Sequence, residues 1–188
     1  MRTGGGVEVE LKYLQVDLEE VRRRLVEAGA RLAEPRSLET NQIFDDADES
    51  LRQSKRLLRL RNGHELTVKL PLEDAEYKSR KEINLDVAEG DIEGFLSGLG
   101  YLALWRYEKW REGWDLDGMW VTLDELPFIG PVVEIEGDRD RIDSIAGRIG
   151  LAEKPTSTAN YQTLYLDFCA ARGVPPGDMT FSAEAAEL

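Results

Sequence analysis

The feature that most limits the fold is a repeated alternation of charged and apolar residues over short stretches. Side chains two apart on a β-strand share a face. In residues 7–13, Glu8, Glu10 and Lys12 therefore point one way, and Val7, Val9, Leu11 and Tyr13 the other. The same sorting sets Arg59 and Arg61 against Leu58 and Leu60, and Thr67 and Lys69 against Leu66, Val68 and Leu70. It returns with Thr122 and Asp124 against Val121 and Leu123, and with Glu134 and Glu136 against Val133 and Ile135. Each strand thus has one apolar face to bury and one charged face to accommodate.

Eight strands are expected from this period, at 7–14, 42–45, 56–61, 65–71, 78–87, 104–116, 119–124 and 131–137. Asn62-Gly63 and Asp117-Gly118 mark two tight hairpins. Between the strands lie amphipathic helices. One starts at Asp17, with Glu20 completing a capping box, and turns Leu18, Val21, Leu25 and Ala28 inward. A second is capped by Asp91 and uses Ile92, Phe95, Leu96 and Leu99. Two more fall near 139–149 and 158–171, the last with Tyr161, Leu164, Tyr165 and Phe168 inward. The chain of 188 residues reads as one domain over 1–172, and the small, acidic residues of 173–188 as a mobile tail.

The helices are natural partners for the apolar strand faces, which makes the class α+β. The charged faces then have two outcomes. An open sheet would leave them wet, whereas eight strands suffice to close an antiparallel barrel and turn them into a lined cavity. Such a cavity would hold Lys12, Arg59, Arg61, Lys69, Lys78, Arg80, Lys109 and Arg111 beside Glu8, Glu10, Glu82, Asp124, Glu134 and Glu136. Cations alone suit any polyanion. Carboxylates beside them repel the same anion unless a divalent metal sits between. Oxygen donors without His or Cys favour Mg²⁺ or Mn²⁺. A metal-bound polyphosphate is the coherent ligand.

Other chemistries find little support. A net charge of −13 opposes adsorption to nucleic acid or to an anionic membrane. No apolar run approaches the roughly 20 residues of a membrane span. One cysteine, Cys169, excludes an internal disulfide and fits a small core residue, and a cytoplasmic home is expected. His64, the only histidine, falls at a hairpin tip, and no GxxxxGK[ST] loop is present. The crowding of Arg52, Lys55, Arg56, Arg59 and Arg61 is compatible with a local anion site or with a solvated strand edge. Phosphoryl transfer by positioning and charge stabilisation remains, with Lys12 and Glu82 as conceivable proton-handling groups.

The order of motifs resembles that of the CYTH superfamily, which groups class IV adenylate cyclases, thiamine triphosphatases and inorganic triphosphatases. Its ExExK motif is matched by Glu8-Val9-Glu10-Leu11-Lys12. There follow Asn41-Gln42-Ile43-Phe44-Asp45, Leu58-Arg59-Leu60-Arg61, Leu66-Thr67-Val68-Lys69-Leu70-Pro71 and Arg80-Lys81-Glu82. Tyr107-Glu108-Lys109-Trp110-Arg111, Leu123-Asp124-Glu125, Val133-Glu134-Ile135-Glu136-Gly137 and Asn160-Tyr161 complete the series. The resemblance is strongest to bacterial proteins described as class IV cyclase-like. It implies an eight-stranded antiparallel tunnel with helices outside. Glu8, Glu10, Asp124, Glu134 and Glu136 would ligate Mg²⁺ or Mn²⁺, and Lys12, Arg59, Arg61, Lys69, Arg80, Lys109 and Arg111 would bind triphosphate. Lys154 is a further basic candidate outside any motif. The implied activity is hydrolysis of tripolyphosphate, a nucleoside triphosphate or thiamine triphosphate. The alternatives are cyclisation of ATP to cyclic AMP and pyrophosphate, or polyphosphate or nucleotide binding without turnover. The expected partner is a small triphosphate, and a homodimer is allowed.

Overall fold

A computed structural model describes residues 7–71 and 80–187, with Val7, Glu8, Arg80 and 185–187 described by their backbone alone. The elements run β1 (Val7–Glu8), β2 (Glu10–Leu14), α1 (Leu18–Glu27), β3 (Arg31–Asp45), α2 (Ser50–Gln53), β4 (Leu57–Arg61), β5 (Glu65–Pro71) and β6 (Arg80–Asp86). They continue with α3 (Ile92–Gly98), β7 (Leu102–Leu116), β8 (Met119–Leu126), β9 (Gly130–Glu136), α4 (Arg139–Arg148), β10 (Thr156–Ser157), α5 (Tyr161–Arg172) and α6 (Phe181–Glu187).

The class is α+β with an antiparallel sheet, as the alternation requires. Among the described residues its hydrogen-bonded order is β1-β6-β5-β4-β3-β7-β8-β9-β2-β10, a series of ten strands without closure between β1 and β10. The count exceeds the expected eight for two reasons. Val9 interrupts the first strand, so that Val7 and Glu8 pair with β6 while Glu10–Leu14 pairs with β9. The short Thr156–Ser157 strand adds to the other side of β2.

Two compact units make up the chain, one from Met1–Glu8 and Glu39–Glu108, the other from Val9–Leu38 and Lys109–Leu188. In the first, Phe44, Leu58, Leu60, Ile92 and Leu96 form the core. Asp91 caps α3 by accepting from the Gly94 amide at 2.8 Å. Only two of the four residues expected inward on this helix are buried, because Phe95 and Leu99 remain 65% and 62% exposed. The β4–β5 hairpin turns at Asn62 and Gly63, whose φ angles of 49° and 73° suit Asn and Gly. His64 is exposed in this turn.

In the second unit, α1 and α4 bury Val21, Leu25, Ile142 and Ile145 against Tyr13, Leu116, Val121 and Ile135. Complete burial of an aliphatic side chain of this size stabilises by about 1.5–3 kcal/mol. Asp17 caps α1 through the amides of Glu19 and Glu20. The Glu20 carboxylate instead takes Arg23 and Arg24. A part-buried ion pair also ties α1 to the sheet. Arg22 reaches Glu112 on β7 at 3.0 Å, and the Trp114 indole N–H donates to the same carboxylate at 2.6 Å. The expected tail carries α6 and a fully buried Met179, and Glu184 accepts from the Phe128 amide at 2.7 Å.

Candidate functional site

Strand register sorts the charged side chains within each unit. In the second unit Glu10 stands directly opposite Glu136, and Lys12 opposite Glu134, across the β2–β9 pair. Glu134 in turn faces Thr122, and Asp124 faces Arg111. Residues directly opposite share a face, so these groups form one charged surface while Val121, Leu123, Val133 and Ile135 enter the core.

The ion pairs on that surface are close. Lys12 Nζ is 2.7 Å from Glu10 Oε1 and 3.1 Å from Glu134 Oε1. Burial alone would lower the Lys12 pKa, but the charges of Glu134 and Glu10 outweigh it and keep the ammonium protonated. Burial alone would raise the Glu134 carboxyl. Lys12, Arg111 and Lys109 outweigh that and hold it well below the ordinary range. Asp124, 0% exposed, accepts from Arg111 Nε at 2.7 Å through Oδ1 and from Arg111 Nη2 through Oδ2. Lys109 lies 3.3 Å from the same Oδ2, and Arg111 Nη2 reaches Glu134 at 2.5 Å.

Tyr161, at the start of α5, completes the Asp124 environment by donating its phenol to Oδ2 at 2.6 Å. Burial, then the charges of Asp124 and Glu134, push the phenol well above its usual pKa, so it remains a donor. The α5 cap is Asn160, whose Oδ1 accepts from the Thr163 amide at 2.8 Å.

A second charged surface belongs to the first unit. Arg59 faces Thr67 across β4–β5, and Lys69 faces Glu82 across β5–β6. Lys69 Nζ is 2.6 Å from Glu82 Oε2, with Arg59 Nη2 at 3.9 Å from the other oxygen. Arg59 Nη2 also donates to Thr67 Oγ1 at 3.2 Å. Arg61 is 3.0 Å from Glu65 and 3.4 Å from Glu39. Glu39 accepts from Asn41 Nδ2 at 3.0 Å. Among the described residues, three buried polar atoms, Asn41 Oδ1, Arg59 Nε and Arg61 Nε, find no hydrogen-bond partner.

The sequence candidates thus fall into two groups. Glu10, Lys12, Lys109, Arg111, Asp124, Glu134 and Glu136 belong to the second unit, and Arg59, Arg61, Lys69 and Glu82 to the first. Glu8 and Arg80 are opposite each other in the β1–β6 register, and Lys78 lies outside the described residues. Lys154 is occupied elsewhere, donating to the Gln15 carbonyl at 2.9 Å. Arg52, Lys55 and Arg56 are exposed, so the basic run divides: its surface part ends before β4. Sequence reasoning assigned no site role to Glu39, Asn41 or Tyr161. Glu39 and Asn41 alternate on β3 two residues apart, the one signal that would have found them.

Oxygen donors of this kind suit Mg²⁺ or Mn²⁺. The facing carboxylates of Glu10 and Glu136 are a like-charge pair of the sort that a cation relieves. Among the described residues no group of three or more carboxylates is gathered as a metal cage, and Asp124 and Glu134 are engaged by Arg111.

The CYTH domain profile matches residues 6–149. The chain belongs to the CYTH family. Members of this family are typically triphosphatases or cyclases and generally depend on a divalent metal. Solved structures share the fold. A Vibrio parahaemolyticus protein proposed to be an adenylate cyclase superposes with TM-score 0.71 at 18% identity, covering 86% of this chain and 98% of its own. Protein PH1819 of Pyrococcus horikoshii OT3 gives 0.65 at 25% identity, with 85% and 98% covered. HpAC1 of Hippeastrum, proposed as an adenylyl cyclase and described as having a dominant triphosphatase activity, gives 0.59 at 16% identity, with 90% and 97% covered. No curated protein matched the sequence. Among the described residues, no helix of this CYTH chain is long and apolar enough to cross a membrane.

Proposed function

We propose that this CYTH protein hydrolyses the terminal phosphoanhydride of a small triphosphate: tripolyphosphate, a nucleoside triphosphate or thiamine triphosphate. The observation that carries the reading is the charged surface of the second unit, where Lys12 and Lys109, each 2% exposed, and Arg111 meet Glu134 and Asp124. Buried cations are costly to keep unless an anion shares their site. Carboxylates intermixed with them suit a substrate that arrives with metal. Glu10, Glu134 and Glu136 would hold Mg²⁺ or Mn²⁺, which would supply charge neutralisation for the phosphates and a more acidic water.

In that reaction a water oxygen bonds to the terminal phosphorus as the bond to the bridging oxygen breaks, giving orthophosphate and releasing diphosphate or a diphosphate ester, with the water's proton passing to solvent. Arg111 and Lys109 neutralise charge on the leaving group, a contribution worth about 3 kcal/mol per contact at comparable sites. Lys12, held protonated by its two carboxylates, acts as a cation and not as a base. Within the first unit, Glu82 holds Lys69 at 2.6 Å.

Phosphate release from tripolyphosphate with Mg²⁺ or Mn²⁺, compared between the wild type and Glu10→Gln or Glu136→Gln, tests the reading. Loss of activity in both variants with melting preserved is expected. Full activity in either removes the metal assignment.

A further inference from the structure

Tyr161 opens α5, and its neighbours on the same helix face, Tyr165 and Cys169, are both buried. Packing alone would be served as well by a phenylalanine. The hydroxyl does something else: it donates to Asp124 Oδ2 at 2.6 Å. Asp124 is the carboxylate that grips Arg111 through both of its oxygens and pairs with Lys109. The ring meets the other cations of the surface, with Lys12 Nζ 5.3 Å and Lys109 Nζ 5.1 Å from its centroid. One side chain therefore touches Lys12, Lys109 and the anchor of Arg111.

We infer that Tyr161 is a positioning residue of the anion site, fixing the Asp124 carboxylate that aims Arg111 and Lys109 and holding Lys12 and Lys109 over its ring. The terminal torsion of an aspartate is broad, so a carboxylate is fixed only by the donors around it. The guanidinium fork is planar and follows the plane of the carboxylate it grips. Any swing of Asp124 therefore turns Arg111 with it. Two ammoniums near one another repel, and an aromatic ring within about 6 Å attracts both. Tyr161 itself touches no reacting atom.

This inference rests on the triphosphate reading, and a binding measurement separates the two. Tripolyphosphate without metal is titrated calorimetrically into the whole chain, wild type and Tyr161→Phe, which keeps the ring and its packing. The expected result is affinity weakened about tenfold with unchanged stoichiometry, the size of one hydrogen bond to a charged group. A purely structural defect would instead lower the stoichiometry and leave the affinity of the remaining sites alone. In an Arg111→Gln background, Tyr161→Phe should weaken binding clearly less than in the wild type, because one of the two cations aimed through Asp124 is gone. Wild-type affinity in Tyr161→Phe, a fall in stoichiometry alone, or the same loss in both backgrounds overturns the inference. So does a wild type that does not bind tripolyphosphate. A wild type that binds but releases no phosphate with Mg²⁺ or Mn²⁺ overturns the hydrolase reading, and the binding comparison still decides the role of Tyr161.

Discussion

Replacing Asp124 by Asn separates two roles that one carboxylate can have. Asp124 is 0% exposed and is shared by Arg111, Lys109 and Tyr161. If its main work is to anchor those donors, neutralising it leaves two cations in a buried site with half their compensation. The new amide also turns an N–H toward groups that are themselves donors. Removing one partner of a buried ion pair costs about 3–5 kcal/mol. For a chain of this size 1 kcal/mol moves the melting temperature by about 2–4 °C, so a fall of roughly 10 °C is expected. The melt is followed by calorimetry in a chelator, so that metal binding adds nothing to the stability measured. Were Asp124 instead chiefly a metal ligand repelled by Glu134, losing its charge would stabilise the metal-free protein. An unchanged or higher melting temperature for Asp124→Asn would therefore refute the anchoring argument. A cycle with Arg111→Met checks the pairing, because the double variant should lose clearly less than the sum of the single losses.

Glu134 makes stability depend on pH in one direction. Its carboxyl is held low by Lys12, Arg111 and Lys109, so the stabilisation is present above the unfolded value of about 4.3 and is lost as pH falls through the folded value. Urea titrations of Glu134→Gln and wild type should differ by a constant amount at pH 5–7, and the difference should start to shrink only as pH falls below the unfolded value of about 4.3 toward the lowered folded value. Met179 is fully buried in the C-terminal segment, and Met179→Ala should cost about 2–5 kcal/mol by chemical denaturation. His64, exposed in the β4–β5 turn, should tolerate Ala within about 0.5 kcal/mol and with unchanged phosphate release.

Much of the charged surface was legible because it is written in a period of two. Glu10, Lys12, Thr122, Asp124, Glu134 and Glu136 share a face by parity, and register brings them together as parity requires. The hairpins at Asn62-Gly63 and Asp117-Gly118 were equally plain, since few other residues accept positive φ. Other elements left weaker marks. Only residues 42–45 of β3 were expected to be strand, although it runs from Arg31 to Asp45. Pro35 and the run of mostly exposed residues at 31–38 hide the alternation. Here cross-strand pairs hold it: Arg36 reaches Glu125 at 2.7 Å and stacks on Trp110 at 4.3 Å, and Arg31 reaches Asp115 at 3.2 Å. Tyr161 was read as a core residue because its spacing to Tyr165 is helical, and spacing does not reveal which buried aromatic also carries a polar contact. Glu112 lies on the core side of β7, where alternation predicts an apolar residue, and is satisfied there by Arg22 and Trp114.

Phosphorus NMR of ATP incubated with the protein and Mg²⁺ or Mn²⁺ addresses the central claim most directly. Hydrolysis at the terminal phosphorus predicts orthophosphate and ADP appearing in equal amounts, with the α-phosphorus resonance keeping its diphosphate character. Tripolyphosphate under the same conditions should yield orthophosphate and pyrophosphate. Pyrophosphate released from ATP together with cyclic AMP would contradict hydrolysis and place the reaction at the α-phosphorus.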